Sequence, residues 1–224
     1  MEYTHKEFCL EVWGDLACFT RPELKVERVS YDVITPSAAR AIFDAILYKP
    51  AIRWEVTRIE VLSPIKWTSI RRNEVGAVGT PKTKVIYIEE KRQQRNALML
   101  REVRYRIYAK LIFIPLSERK VPQRQNDPDD KPNKYFEMFE RRASKGQCFN
   151  QPYLGTRECS AYFELISDEA QKINQPIAED RDLGIMLYDM DFSNPKNITA
   201  MFYRANMKQG VIEVPPLNSE DILR

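Results

Sequence analysis

One histidine in 224 residues, four cysteines and seven glycines set the first limits on this chain. The lone imidazole, His5, excludes any mechanism that needs two, and its place ahead of the first apolar segment suits a chain end better than a reaction centre. Cys9, Cys18, Cys148 and Cys159 are scattered with no Cys-x-x-Cys pair, which argues against a zinc site and, in a cytosolic chain, against disulfides. They read as reduced thiols in or near the core. No apolar run approaches the roughly 20 residues of a spanning helix, and the opening residues lack a signal-peptide apolar region. The expectation is a cytoplasmic protein without a membrane partner. Gly76 and Gly79 do not have the Gly-x-x-x-x-Gly-Lys spacing that cradles phosphates, so a nucleotide-triphosphate site is not expected. The acidic run around Asp127 has no histidine beside it and reads as a solvated loop, so neither metal nor cofactor is expected.

What the chain does have is enough apolar residue, 43%, for a core that needs no staples. Its net charge of +3 hides an asymmetry. Residues 66–110 carry 12 Lys and Arg against 4 Glu, whereas residues 158–224 carry 6 basic and 12 acidic residues. A concentrated positive region favours a polyanion, and nucleic acid is the commonest; a solvated charged face is the plain alternative.

In chain order, residues 7–13 alternate as a first strand that ends in a turn at Gly14 and Asp15. Residues 29–34 form a short strand. Thr35 as N-cap and Pro36 at the first helical position open a helix, with Ala38, Ala41, Ile42, Ala45 and Ile46 on one face and an end near Tyr48-Lys49-Pro50. Residues 53–62 are a strand whose alternation changes phase near Thr57 and Arg58, which predicts a bulge. Residues 76–84 are a turn, 85–89 a short strand and 91–95 a basic connection. In the long strand 101–114, Val103, Tyr105, Ile107, Ala109, Leu111 and Phe113 make an apolar face. Arg104, Arg106, Tyr108 and Lys110 make the other. Cations around a ring on a strand suit RNA backbone and bases, although such a face can also be solvated or covered by the chain. Residues 117–132 are a polar loop, 159–166, 184–192, 199–207 and 211–214 are strands, and residues 208–210 form a hairpin turn. The order predicts an α+β fold: a ferredoxin-like βαββαβ domain over residues 1–166, with a small C-terminal antiparallel β extension over residues 167–224.

The helix after the polar loop carries Tyr135, Phe136, Met138, Phe139 and Ala143 at helical spacing and stops near Gly146. Lys134 lies in its first turn. A cation there opposes the helix dipole while the free N–H groups favour an anion, so Lys134 beside Tyr135 suits a bound phosphate. A solvated lysine at a loop edge is the alternative.

Several segments together resemble a known family: Trp13-Gly-Asp-Leu-Ala-Cys-Phe-Thr-Arg-Pro, Thr35-Pro-Ser-Ala-Ala-Arg-Ala-Ile, Tyr48-Lys-Pro-Ala-Ile-Arg-Trp, Arg71-Arg-Asn-Glu-Val, Arg92-Gln-Gln-Arg, and Gly146-Gln-Cys-Phe with Tyr153-Leu-Gly-Thr-Arg-Glu. The chain is similar over nearly its whole length to the type I-C (Dvulg subtype) CRISPR-associated proteins of the RAMP superfamily. The resemblance implies an RRM-like RAMP domain and a metal-independent endoribonuclease. Such an enzyme cleaves precursor CRISPR RNA at the base of the repeat hairpin and stays on the 5′ handle in a surveillance complex with backbone and large subunits. It further implies a catalytic lysine at Lys134. The histidine that follows it in family members is Tyr135 here, and the tyrosine near the end of the first helix falls at Leu47, with Tyr48 one place along. A phenol, with a reference pKa of about 10, is a weak base at neutral pH but can position or donate a hydrogen bond. The catalytic candidates are therefore Lys134, Tyr135 and Tyr48. The RNA-binding candidates are Arg21, Lys25, Arg28, Lys49, Arg71, Arg72, Arg92, Arg95, Arg104, Arg106 and Lys110. A non-catalytic subunit that holds the 5′ handle and a general duplex-DNA binder are the alternatives.

Overall fold

The computed structural model describes residues 4–81, 85–119, 130–167, 172–194 and 196–224. The acidic run around Asp127, and parts of the predicted turn and of the polar loop, lie outside these residues.

The first strand, β1 (His5–Ala17), does not stop at Gly14 as the turn signal predicts. Gly14 stays in register opposite Val103, and the space a Cβ would need is occupied by Leu154 Cδ1 and the Ser160 carbonyl, so glycine here serves close approach rather than a turn. Of the predicted strand 29–34 only β2 (Arg28–Val29) forms; Val33 and Ile34 are buried without a ladder. Helix α1 (Pro36–Ile46) begins as its sequence dictates, with Thr35 Oγ1 accepting from the Ala38 N–H at 3.3 Å. Strand β3 (Ile52–Val61) shifts register between Val56 and Arg58, where the alternation changes phase.

Strand β4 (Trp67–Val75) then pairs with the first half of β5 (Arg92–Phe113), so the expected basic connection at 91–95 is mostly strand. The expected strand 85–89 is not one: residues 85–87 have no ladder and a short helix, α2 (Ile88–Lys91), follows. The cause is location. Val85, Tyr87 and Ile88 stand exposed at the outer end of the β4–β5 pair, where alternation has no face to bury. Helix α3 (Pro132–Ser144) and β6 (Tyr162–Ile166) complete the βαββαβ series.

After β6 come β7 (Arg181–Asp191), β8 (Thr199–Met207) and β9 (Val211–Glu213). The β8–β9 turn has Gln209 and Gly210 at φ of 46° and 73°, the left-handed pair of a tight hairpin. The main sheet runs β6-β1-β5-β3-β9, and each neighbouring pair on that path is antiparallel. The order β6-β1-β5-β3 is that of a ferredoxin-like fold, and β7–β8 form a separate two-stranded sheet. Both long helices pack on one face through Phe8, Phe43, Trp54, Phe136 and Phe139, with the Phe8–Phe139 and Trp54–Phe139 ring centroids 4.8 and 4.6 Å apart. Met186, Met201 and Tyr203 of β7 and β8 belong to the same core, and β9 hydrogen-bonds to β3 across the expected boundary at residue 166. Among the described residues no helix is long and apolar enough to cross a membrane.

Candidate nucleic-acid interface

The non-helical face of the sheet carries the expected cations of β5, but not as an open surface. Arg106 is 2% exposed. Its Nη1 donates to Glu60 at 2.7 Å, and its Nη2 to Glu11 at 3.3 Å and to the Asn174 carbonyl at 2.7 Å. Asn174 also donates to Glu11, and the Ile177 N–H donates to the Val61 carbonyl, so the segment before β7 lies across this part of the sheet. Arg106 is thus a buried charge already matched by two carboxylates. Arg104 pairs with Glu11 at 2.6 Å and lies over the Trp13 ring, which stacks in turn on Tyr162. Lys110 is half-buried, in register between Glu7 and Glu55.

The other candidate cations divide by partner. Arg28 and Arg72 both meet Glu158 and Glu74, tying β2 and β4 to the loop after α3. Arg21 pairs with Asp32 at 3.2 Å and covers the Tyr31 ring. Lys25, Lys49, Arg71 and Arg92 are exposed. Arg95 is half-buried and donates to Gln93 at 2.8 Å. Arg71 and Arg92 stand on the outer face of the β4–β5 pair, with Asn73, Gln94 and Asn96 around them.

Helix α3 starts without a side-chain cap; Lys131 is its N-cap residue and Pro132 needs no N–H partner. A cavity of about 570 Å³ that runs along α3 from its first turn is lined by Lys131, Asn133, Lys134, Glu137, Met138 and Arg141. Three cations line it against one carboxylate, and at the first-turn end, beside Lys131 and Lys134, the helix dipole adds to the positive potential. An anion such as a backbone phosphate fits this chemistry. Lys131, Asn133 and Arg141 were not among the site candidates read from the sequence; for Lys131 and Arg141 the signal is the spacing that puts 131, 134, 138 and 141 on one helix face.

Tyr135 points elsewhere. Its hydroxyl donates to Asp130 Oδ1 at 2.6 Å, its ring packs on Phe113, and Asp130 is held by Arg119 at 2.8 Å. This Arg119–Asp130–Tyr135 network fastens the base of α3 to the end of β5. Leu47 is fully buried, with its carbonyl accepting the Trp54 indole N–H at 3.1 Å. Tyr48 is exposed and lines a different cavity, with Asp44, Phe149, Asn150, Gln151 and Tyr153. Arg142 donates to the Ile46 carbonyl, so the end of α1 abuts the far half of α3, about 12 Å along the helix from Lys134. Lys134 and Tyr48 therefore line separate cavities.

With this fold in view, residues 8–215 match the family described as CRISPR-associated protein (Cas_Cas5), in its Cas5d form. The chain belongs to the Cas5d family. It is 48% identical, over 96% of its length and 97% of the relative's, to the CRISPR pre-crRNA endoribonuclease Cas5d of Mannheimia succiniciproducens. The protein of that name from Thermus thermophilus is 38% identical over 96% of this chain and 94% of the relative. A solved structure described as a CRISPR-associated protein superposes over the whole of both chains with a TM-score of 0.72 at 26% identity. The Cas5d membership and this superposition agree with the ferredoxin-like strand order.

Proposed function

We propose that this chain is a metal-independent endoribonuclease that cuts precursor CRISPR RNA at the base of the repeat hairpin. It then stays on the 5′ handle as a cytoplasmic subunit of the type I-C surveillance complex. The observation that carries this reading is 48% and 38% identity, over 96% of the chain, to relatives named as pre-crRNA endoribonucleases, and the cationic cavity at α3 suits a phosphate.

In such a reaction the ribose 2′-hydroxyl attacks the neighbouring phosphorus and the bond to the 5′-oxygen breaks. The 2′-oxygen loses a proton and the leaving oxygen gains one. Lys134, with Lys131 beside it at the start of α3, stabilises the charge that builds on the phosphorane, and its ammonium can give the proton that the 5′-oxygen needs. Tyr135, whose hydroxyl donates to Asp130, acts as a positioning residue for the first turn of α3. Lys25, Lys49, Arg71, Arg92 and Arg95 carry the salt-sensitive phosphate contacts, because Arg21, Arg28, Arg72, Arg104 and Arg106 already meet carboxylates of the chain.

A second reading, an RNA-holding subunit without cleavage, is favoured by the phenol at position 135 and by its engagement with Asp130. Incubation of labelled repeat hairpin with the protein in excess EDTA separates the two. The wild type is expected to cut, and Lys134→Ala to cut about 100- to 1,000-fold more slowly. RNA that is bound but stays intact would leave only the second reading. Unchanged cutting by the variant would remove Lys134 from the chemistry. Competition with random duplex DNA over a salt series ranks DNA against RNA as partner.

A further inference from the structure

The cavity at the end of α1 has a composition that the phosphate chemistry of Lys134 does not use. Three aromatic side chains surround a space of about 280 Å³: Tyr48, Phe149 and Tyr153. They are 65%, 77% and 38% exposed, so none of them is there to fill the core. Asp44, whose Oδ2 already accepts from Arg40 Nη1, lines the same space with the amides of Asn150 and Gln151. Ring faces for stacking and, at the edges, both donors and acceptors are what a planar heterocycle requires.

The walls are fixed in advance by main-chain bonds. The N–H groups of Phe149 and Asn150 both donate to the Ala45 carbonyl, at 2.8 and 3.2 Å. Gln151 Nε2 donates to the Ala161 carbonyl at 2.9 Å, and the Ala161 N–H returns to the Pro152 carbonyl at 2.9 Å. A cleft held this way loses little freedom when a ligand enters. Its volume lies near the lower end for small-molecule clefts, about 300 Å³, which suits one nucleoside and not a duplex. Lys49, next in sequence to Tyr48, is exposed.

We infer that this cleft receives a single unpaired base of the bound RNA, stacked on Phe149 and Tyr48 and met at its edge by Asn150 and Asp44. A paired base has its faces and its Watson–Crick edge occupied, so the cleft selects an extruded nucleotide or one flanking the hairpin. The inference rests on the reading of the protein as an RNA binder. Within it, Tyr48 holds the base and moves no proton.

The test is equilibrium binding of repeat RNA, and of versions made abasic at one unpaired position at a time, to wild type, Phe149→Ala and Phe149→Tyr. At one position the abasic RNA should bind the wild type roughly 5- to 100-fold more weakly. Phe149→Ala should lose a similar factor on intact RNA and show no further loss on that abasic RNA, and Phe149→Tyr should recover most of it. Because Phe149 is largely exposed, the variant is expected to fold, which a thermal melt checks. Wild-type affinity in Phe149→Ala, or losses that add at every abasic position, would overturn the cleft as a base site. Such a result accompanied by normal cutting would leave the nuclease reading standing. Coupled losses with RNA that stays uncut would overturn the nuclease reading alone. Failure of the wild type to bind repeat RNA would overturn both.

Discussion

Arg106 shows how burial redirects a cation. From alternation alone it lies on a basic, aromatic strand face suited to RNA, yet its guanidinium is enclosed between Glu11 and Glu60, far from β5 in sequence. Removing the cation would leave two carboxylates facing each other with little water. Arg106→Ala is expected to destabilise the fold by about 3–5 kcal/mol in urea titrations, the range for breaking a buried pair by deleting one partner. A loss below 1 kcal/mol would mean that water already reaches the cluster. Tyr135 is a parallel case: its identity is plain in the sequence, but the direction of its hydroxyl depends on Asp130 and Arg119.

The elements follow local chemistry where it is strong. Thr35 and Pro36 start α1 at the expected residue, and the phase change at Thr57 becomes a bulge. Local signals mislead where long-range pairing overrides them, as at Gly14, through which β1 continues, and at residues 92–95, which β4 draws into a ladder. The loop after α3, which forms one wall of the aromatic cleft, is held by Gly155. Its φ of 86° disfavours any side chain, and a Cβ there would sit 2.1 Å from the Cys18 carbonyl oxygen, a backbone atom that cannot swing away. Gly155→Ala is expected to cost roughly 2–4 kcal/mol by thermal or urea unfolding. A neutral outcome would show that the main chains around Cys18 and Gly155 can separate.

Across the whole protein, several protic side chains are buried deeply enough that desolvation outweighs their charged neighbours. Burial pushes the Cys9 thiol up to about 12 and the Tyr188 phenol up to about 12, and it raises Tyr31, Tyr105 and Tyr203 as well. In the unfolded chain these groups ionise near their reference values, about 8.5 for a thiol and 10 for a phenol, so the unfolded state loses protons first as the pH rises. Stability from these groups is complete below about pH 8 and is lost as the pH climbs toward the folded values, by up to about 1.4 kcal/mol per pH unit for each group titrating. The urea midpoint should therefore fall steeply above about pH 9, and Cys9→Ala should make the fall shallower at its lower end. A midpoint that stays flat from pH 8 to about 11 would contradict the burial of these groups.

What the sequence determined by itself was whatever depends on near neighbours: the periods of the main strands and helices, the cap of α1, the bulge in β3, and the long ordered segments that resemble the family. Those features arise from sterics and alternation within a few residues, and they were enough for the ferredoxin-like series and for Lys134 at the head of α3. Tertiary structure alone decided which cations keep their charge available. Arg106 meets Glu11 across 95 residues and Arg28 meets Glu158 across 130, and no local pattern encodes such pairs. It also decided that Tyr48 keeps company with Phe149 and Tyr153 rather than with Lys134, because one cavity is made by two segments about a hundred residues apart.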